Sequence, residues 1–151
     1  MTSRFAEFRL SVIVIGFVSQ SNAQLNVTSQ IEKPSEEVGT IRMMSIYLKY
    51  SDGLGYFLTI DTDNRFDGAM IFCLGNNAES AIATVNDMIS LIDKHIASTE
   101  VKQGSSIFTL SNYKFAKNYL YFQQKGYAGD NAMSKKELEK IIKKIKEKEK
   151  L

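Results

Sequence analysis

Residues 69–96 read AMIFCLGNNAESAIATVNDMISLIDKHI, and a change of period inside this stretch decides the fold class. Ala69 to Leu74 form an unbroken apolar run, the character of a strand inside a sheet. Gly75-Asn76-Asn77 then punctuates the chain. From Ala78 onward, Ala81, Ile82, Val85, Met88, Ile89, Ile92 and Ile96 recur at three- and four-residue spacing, which predicts an amphipathic helix of about 20 residues. Asn76 or Asn77 supplies its N-cap oxygen, and Glu79 suits the positive end of the helix dipole.

Strand patterns lie on both sides of that helix. Upstream, VGTIRMMSIYLKY alternates through Val38, Thr40, Arg42, Met44, Ile46 and Leu48, breaks at Ser51-Asp52-Gly53, and resumes as GYFLTID. Downstream, after Val101-Lys102-Gln103-Gly104, SSIFTLSNY and NYLYFQQK are β-rich and are separated by Lys114-Phe115-Ala116-Lys117, the pattern of a second hairpin. The chain closes on a second helix. Ser134 and Glu137 make an S-x-x-E capping box, Met133 is placed to staple onto Leu138, and Leu138, Ile141, Ile142 and Ile145 form one apolar stripe. The expected order is βββαββα, an α+β fold in which two β-segments form an antiparallel sheet with both helices packed on one face. The two halves share the plan of strands followed by a helix, without a clear sequence repeat.

The start of the chain reads differently. In MTSRFAEFRL SVIVIGFVSQ SNAQ, Arg4 and Arg9 precede an apolar run from Leu10 to Val18, and Ser21 and Ala23 are two apart. Those are the three parts of a secretory signal peptide, with cleavage after Ala23 and Gln24 as the mature start. The run is too short to span a bilayer, which takes about 20 apolar residues. Residues 24–37 (QLNVTSQIEKPSEE) hold the only proline and no sustained period, and are expected to form a polar arm ahead of a single domain at 38–151. The organisation predicts a periplasmic or secreted protein with no transmembrane span in the mature chain.

Composition narrows the chemistry. The chain has 151 residues, 19 Lys and Arg against 17 Asp and Glu, one His and one Cys. A chain of this size buries enough surface to fold without disulfides or a structural metal. Its net charge of +2 argues against nucleic acid as a general partner. The charge is uneven: the last helix carries eight Lys and four Glu after Ser134. A solvated lysine face, with local pairs Glu137–Lys140, Glu139–Lys143 and Lys143–Glu147, accounts for it, and a basic surface for nucleic acid is the alternative.

No catalytic constellation survives this reading. Cys73 ends the apolar strand and reads as a small core residue. His95 falls near the far end of the helix, roughly 27 Å away at 1.5 Å per residue, far beyond the reach of a Cys–His pair. His95 is read instead as a last-turn residue favoured by the dipole. Asp61, Asp63 and Asp67 suggest calcium, yet Arg65 and Phe66 fall where an EF-hand needs a ligand and a glycine. Those carboxylates are expected to shape turns. Neither a cofactor nor a metal is predicted, and the chain reads as non-catalytic.

Aromatic crowding is the remaining feature, with Tyr113, Phe115, Tyr119, Tyr121, Phe122 and Tyr127 in one short segment. In a strand, Tyr119 and Tyr121 share one face while Leu120 and Phe122 share the other. If the latter pair points to the core, the tyrosines reach an open face with Tyr113, Lys117 and Gln123. Tyrosine offers apolar area with a polar tip, which suits a protein or glycan partner. The expected function is therefore an exported binding or interaction module using Tyr113, Lys117, Tyr119, Tyr121 and Gln123. A cytosolic nucleic-acid-associated protein using the lysine helix, and a small enzyme or enzyme inhibitor, are the alternatives.

Overall fold

The structure is a computed structural model and describes residues 35–150. The expected signal segment, 1–23, and residues 24–34 of the polar arm lie outside the described residues. The first half comprises β1 (Glu36–Arg42), β2 (Ile46–Ser51), β3 (Gly55–Ile60), β4 (Met70–Gly75) and α1 (Ala78–Asp93). The second repeats the plan with β5 (Ser98–Gln103), β6 (Ser106–Ser111), β7 (Tyr119–Gln124), β8 (Asp130–Ser134) and α2 (Lys135–Glu149). Each set of four strands is an antiparallel meander, ordered β1-β2-β3-β4 and β5-β6-β7-β8. The α+β class and the alternation of antiparallel strands with helices follow the sequence expectation. Four strands stand where three precede the first helix in that expectation, four where two precede the second, and they form two sheets.

The additional strands have local causes. Val38 to Leu48 alternates like one strand, but the chain reverses at Met43-Met44-Ser45, where the Ser45 N–H bonds the Arg42 carbonyl at 3.0 Å. Met44 takes a φ of 63°, a left-handed conformation that its side chain gives no reason to expect. Strand β1 also begins at Glu36, inside the expected arm. Strand β5, STEVKQ, is polar on its exposed face and half-buried on the other, so it lacks the apolar alternation that advertises a strand. In β8, Asp130-Asn131-Ala132 has little intrinsic strand preference; it pairs with β7, and its other edge is held by Asp63 and Arg42 from far away in sequence.

Both helices start as their sequences specify. Asn77 accepts from the Ser80 N–H and Ser134 from the Glu137 N–H, each within a complete capping box. Helix α1 ends sooner than its apolar pattern: Lys94 caps it, and His95, at φ 53°, lies past its end and turns the chain. His95 is thus a left-handed residue beyond the cap, and Ile96 is exposed.

One core joins both halves. Alternate residues of each sheet, among them Ile46, Leu48, Leu58, Phe72, Phe108, Leu120 and Phe122, pack with Val85, Met88 and Ile92 of α1 and Leu138, Ile141 and Ile145 of α2. Phe72 of the first sheet meets Phe108 and Phe122 of the second edge-on, with ring centroids 5.0 and 5.4 Å apart. Such pairs add to the apolar burial that already favours the contact. With Leu120 and Phe122 fully buried, strand alternation turns Tyr119 and Tyr121 outward.

Candidate functional site

The outward face of β7 forms one wall of an open groove of about 930 Å³. Tyr119, 43% exposed, and the half-buried Tyr121 stand on that wall with Ala116. Lys136, Glu139, Lys140 and Lys143 of α2 form the opposite wall. Lys136, Lys140 and Lys143 are spaced i, i+4 and i+7, so the 3.6-residue period aligns them along one helix face. Asn131, Ala132 and Ser134 of β8, with Ile41, Arg42 and Glu137, complete the lining.

Arg42 organises this floor. Its Nε and one terminal nitrogen donate to the two Glu137 carboxylate oxygens at 2.9 and 2.6 Å. The same terminal nitrogen donates to the Ala132 carbonyl at 2.6 Å, and the other to Asn131 Oδ1 at 2.9 Å. Burial alone would raise the Glu137 carboxyl, but the Arg42 guanidinium and the Ser134 amide outweigh it and hold the group below the usual carboxylate range. Glu137 therefore pairs across the fold with Arg42 instead of with Lys140 along its helix, and Lys140 donates to the Ile41 carbonyl at 3.3 Å. With Arg42 and Glu137 neutralising one another, three lysines face a single remaining carboxylate, Glu139, and the groove is electropositive.

The structure divides the five expected site residues. Tyr119 and Tyr121 line the groove together. Tyr113, 42% exposed, stands behind them with its ring centroid 4.8 Å from that of Tyr121, and stacks on Phe115 at 5.9 Å. Phe115 is 88% exposed, so the aromatic surface continues beyond the groove. Lys117 does not line it: its residue caps the 3-10 turn Lys114–Ala116, and its carbonyl accepts from the Asn112 side chain at 2.8 Å. Gln123 lies at the other end of β7, in a separate shallow depression with Glu100, Thr109 and Tyr127. Arg42, Asn131 and Glu137 line the groove although strand and helix patterns do not single them out as site residues, and those patterns offer the three lysines only as part of a basic helix for nucleic acid. The capping box marked Glu137 as structural, and nothing local marks Arg42, whose partners are 89 to 95 residues away.

The thiol, the imidazole and the loop carboxylates are engaged in packing, chain reversal and loop anchoring. Burial pushes the Cys73 thiol up to about 12, far from a reactive thiolate at neutral pH. His95 lies beyond the opposite end of α1 with its Nδ1 3.4 Å from Asn112 Oδ1. Asp67 accepts from the Gly129 and Ala128 amides at 2.8 and 3.2 Å and from the Thr62 hydroxyl at 2.8 Å. The Gly129 amide first, and then the Thr62 and Ala128 donors, hold its carboxyl below the usual range. Asp63 accepts the Asp130 N–H at 3.1 Å, so these carboxylates tie the 61–69 loop to the start of β8. Among the described residues no three His, Cys, Asp or Glu side chains are grouped to hold a metal, and no helix is long and apolar enough to cross a membrane.

Compared with protein-family models, curated proteins and solved structures, the chain has no significant match.

Proposed function

We propose that this chain is an exported, non-catalytic binding module whose working surface is the groove between β7 and α2. The observation that carries the reading is the shared exposure of Tyr119 and Tyr121 on one groove wall, opposite the Lys136–Lys140–Lys143 stripe. Tyrosines beside cations bind through ring faces, hydroxyl hydrogen bonds and charge, without a reacting group. The use of Cys73 and His95 in packing and chain reversal supports a binding role over catalysis. Export rests on the pattern of residues 1–23, and intact-mass measurement on the mature protein tests it: a start at Gln24 is expected, and a retained Met1 contradicts it.

The partner is a protein segment or a glycan. Screening the full chain on peptide and glycan arrays, beside a Tyr119→Ala/Tyr121→Ser variant, tests the reading. The wild type is expected to retain a defined ligand class that the double variant loses, with the unfolding midpoint little changed. Ligands held equally by the double variant would contradict it.

A further inference from the structure

The terminal strands of a sheet leave main-chain groups that invite pairing, and folds close such edges with side chains or cover. Both halves of this chain use the same closure. The last residue of the first strand in one half reaches the residue two before the end of the last strand in the other: Gln103 of β5 reaches Cys73 of β4, and Arg42 of β1 reaches Ala132 of β8. The two closures differ in chemistry. A primary amide carries a donor and an acceptor, so Gln103 answers both the Cys73 carbonyl and its N–H, each at 2.9 Å. A guanidinium carries donors only. Arg42 therefore serves the Ala132 carbonyl, and the Ala132 N–H falls back on the side chain of its own neighbour, Asn131, at 2.7 Å.

The rest of the β8 edge is likewise met by single groups and not by a strand. The Ser134 N–H goes to Glu137 at 3.0 Å, and Asp130 exchanges hydrogen bonds with Asp63 at 3.1 Å. This edge forms the groove floor, whereas on the corresponding wall of the first half Phe57 is only 3% exposed. One half is sealed with an amide and an apolar ring. The other is closed by an ion pair between partly exposed side chains.

We propose, resting on the groove being the binding surface, that the β8 edge accepts an extended acidic segment of a partner protein as an added strand. A carboxylate of that segment takes Arg42 from Glu137. Its backbone then pairs with Ala132 in place of the Asn131 and Arg42 contacts, the mode by which peptides add to sheet edges. Charge selects the occupant: Lys136, Lys140 and Lys143 line the groove against Glu139 alone once Arg42 and Glu137 are set aside.

Random heptapeptides displayed on phage, selected on the full chain, test this. The selection is expected to enrich Asp or Glu at alternate positions. The synthesised winner is expected to bind at least tenfold more weakly to Arg42→Gln, which reproduces the closure made by Gln103. It should bind about threefold more tightly to Glu137→Gln, a gain that a damaged fold does not give. Amide exchange at Ala132 should slow at least tenfold in the complex. No enrichment, enrichment without acidic residues, or binding indifferent to Arg42→Gln with unchanged Ala132 exchange would overturn the proposal. In the last case, loss of binding in Tyr119→Ala leaves the groove reading standing and removes strand addition alone.

Discussion

Gln103 sits on β5 yet answers for the backbone of Cys73 on β4, with Nε2 donating to the Cys73 carbonyl and Oε1 accepting the Cys73 N–H, both at 2.9 Å. The side chain does for this edge what a neighbouring strand does elsewhere. Leucine at this position leaves two main-chain groups unmet, and an unmet buried donor or acceptor costs about 1–3 kcal/mol. Gln103→Leu should lower stability by about that amount in urea unfolding.

Acid should weaken the fold through Glu137 and Asp67. Both carboxyls lie below their ordinary range in the folded chain, Glu137 through Arg42 and Ser134 against the pull of burial, Asp67 through the Gly129 amide first. A group with a depressed folded pKa contributes stability that is complete above its unfolded pKa, about 4 for these carboxyls, and is lost as pH falls through the lower folded value. Urea midpoints should therefore drop below about pH 4. The gap between wild type and Glu137→Gln should be widest at pH 7 and close toward pH 3. A gap that stays constant with pH would contradict this account of Glu137.

Gly55 and Gly104 both have positive φ, +74° and +60°, but only Gly55 is also confined. A Cβ at Gly55 would come within 2.3 Å of the Gly75 carbonyl oxygen, while one at Gly104 meets nothing within 4 Å. Gly104→Ala should cost about 1 kcal/mol, the penalty of the left-handed backbone alone. Gly55→Ala should cost about 3 kcal/mol or more, because the β3–β4 edge must also shift. Thermal unfolding of the pair separates strain from crowding.

Phe72 joins the two sheets through Phe108 and Phe122. Its truncation to alanine should cost about 3–5 kcal/mol, in the range for buried aromatic residues. Because one core spans both halves, unfolding should remain a single transition followed equally by far-ultraviolet circular dichroism and tyrosine fluorescence. Two separated transitions would indicate that the halves are independent.

Local signals carried much of this architecture. The capping boxes at Asn77 and Ser134 start both helices, and the stripe Leu138-Ile141-Ile145 is the buried face of α2. The turn at Met43-Met44-Ser45 was hidden because methionine carries no turn signature and the alternation passes through it unchanged. Strands β5 and β8 were hidden because a polar edge strand is specified by what it pairs with, β6 for β5 and β7 for β8, and the outer edge of β8 is met by Asp63 and Arg42 from far away in sequence. In the groove, the outward placement of Tyr119 and Tyr121 followed from the period of a strand, since Leu120 and Phe122 had to be buried. The role of Arg42 did not, because bringing β1, β8 and α2 together is a property of the tertiary fold.

The most direct measurement places p-benzoylphenylalanine at position 119, and separately at the exposed position 79 on α1, in the full chain within cells of its own organism. Irradiation should give a defined covalent adduct from position 119, competed by excess wild-type protein, and none from position 79. Absence of an adduct at position 119, or the same adducts from both positions, would contradict the assignment of the β7–α2 groove as the binding surface.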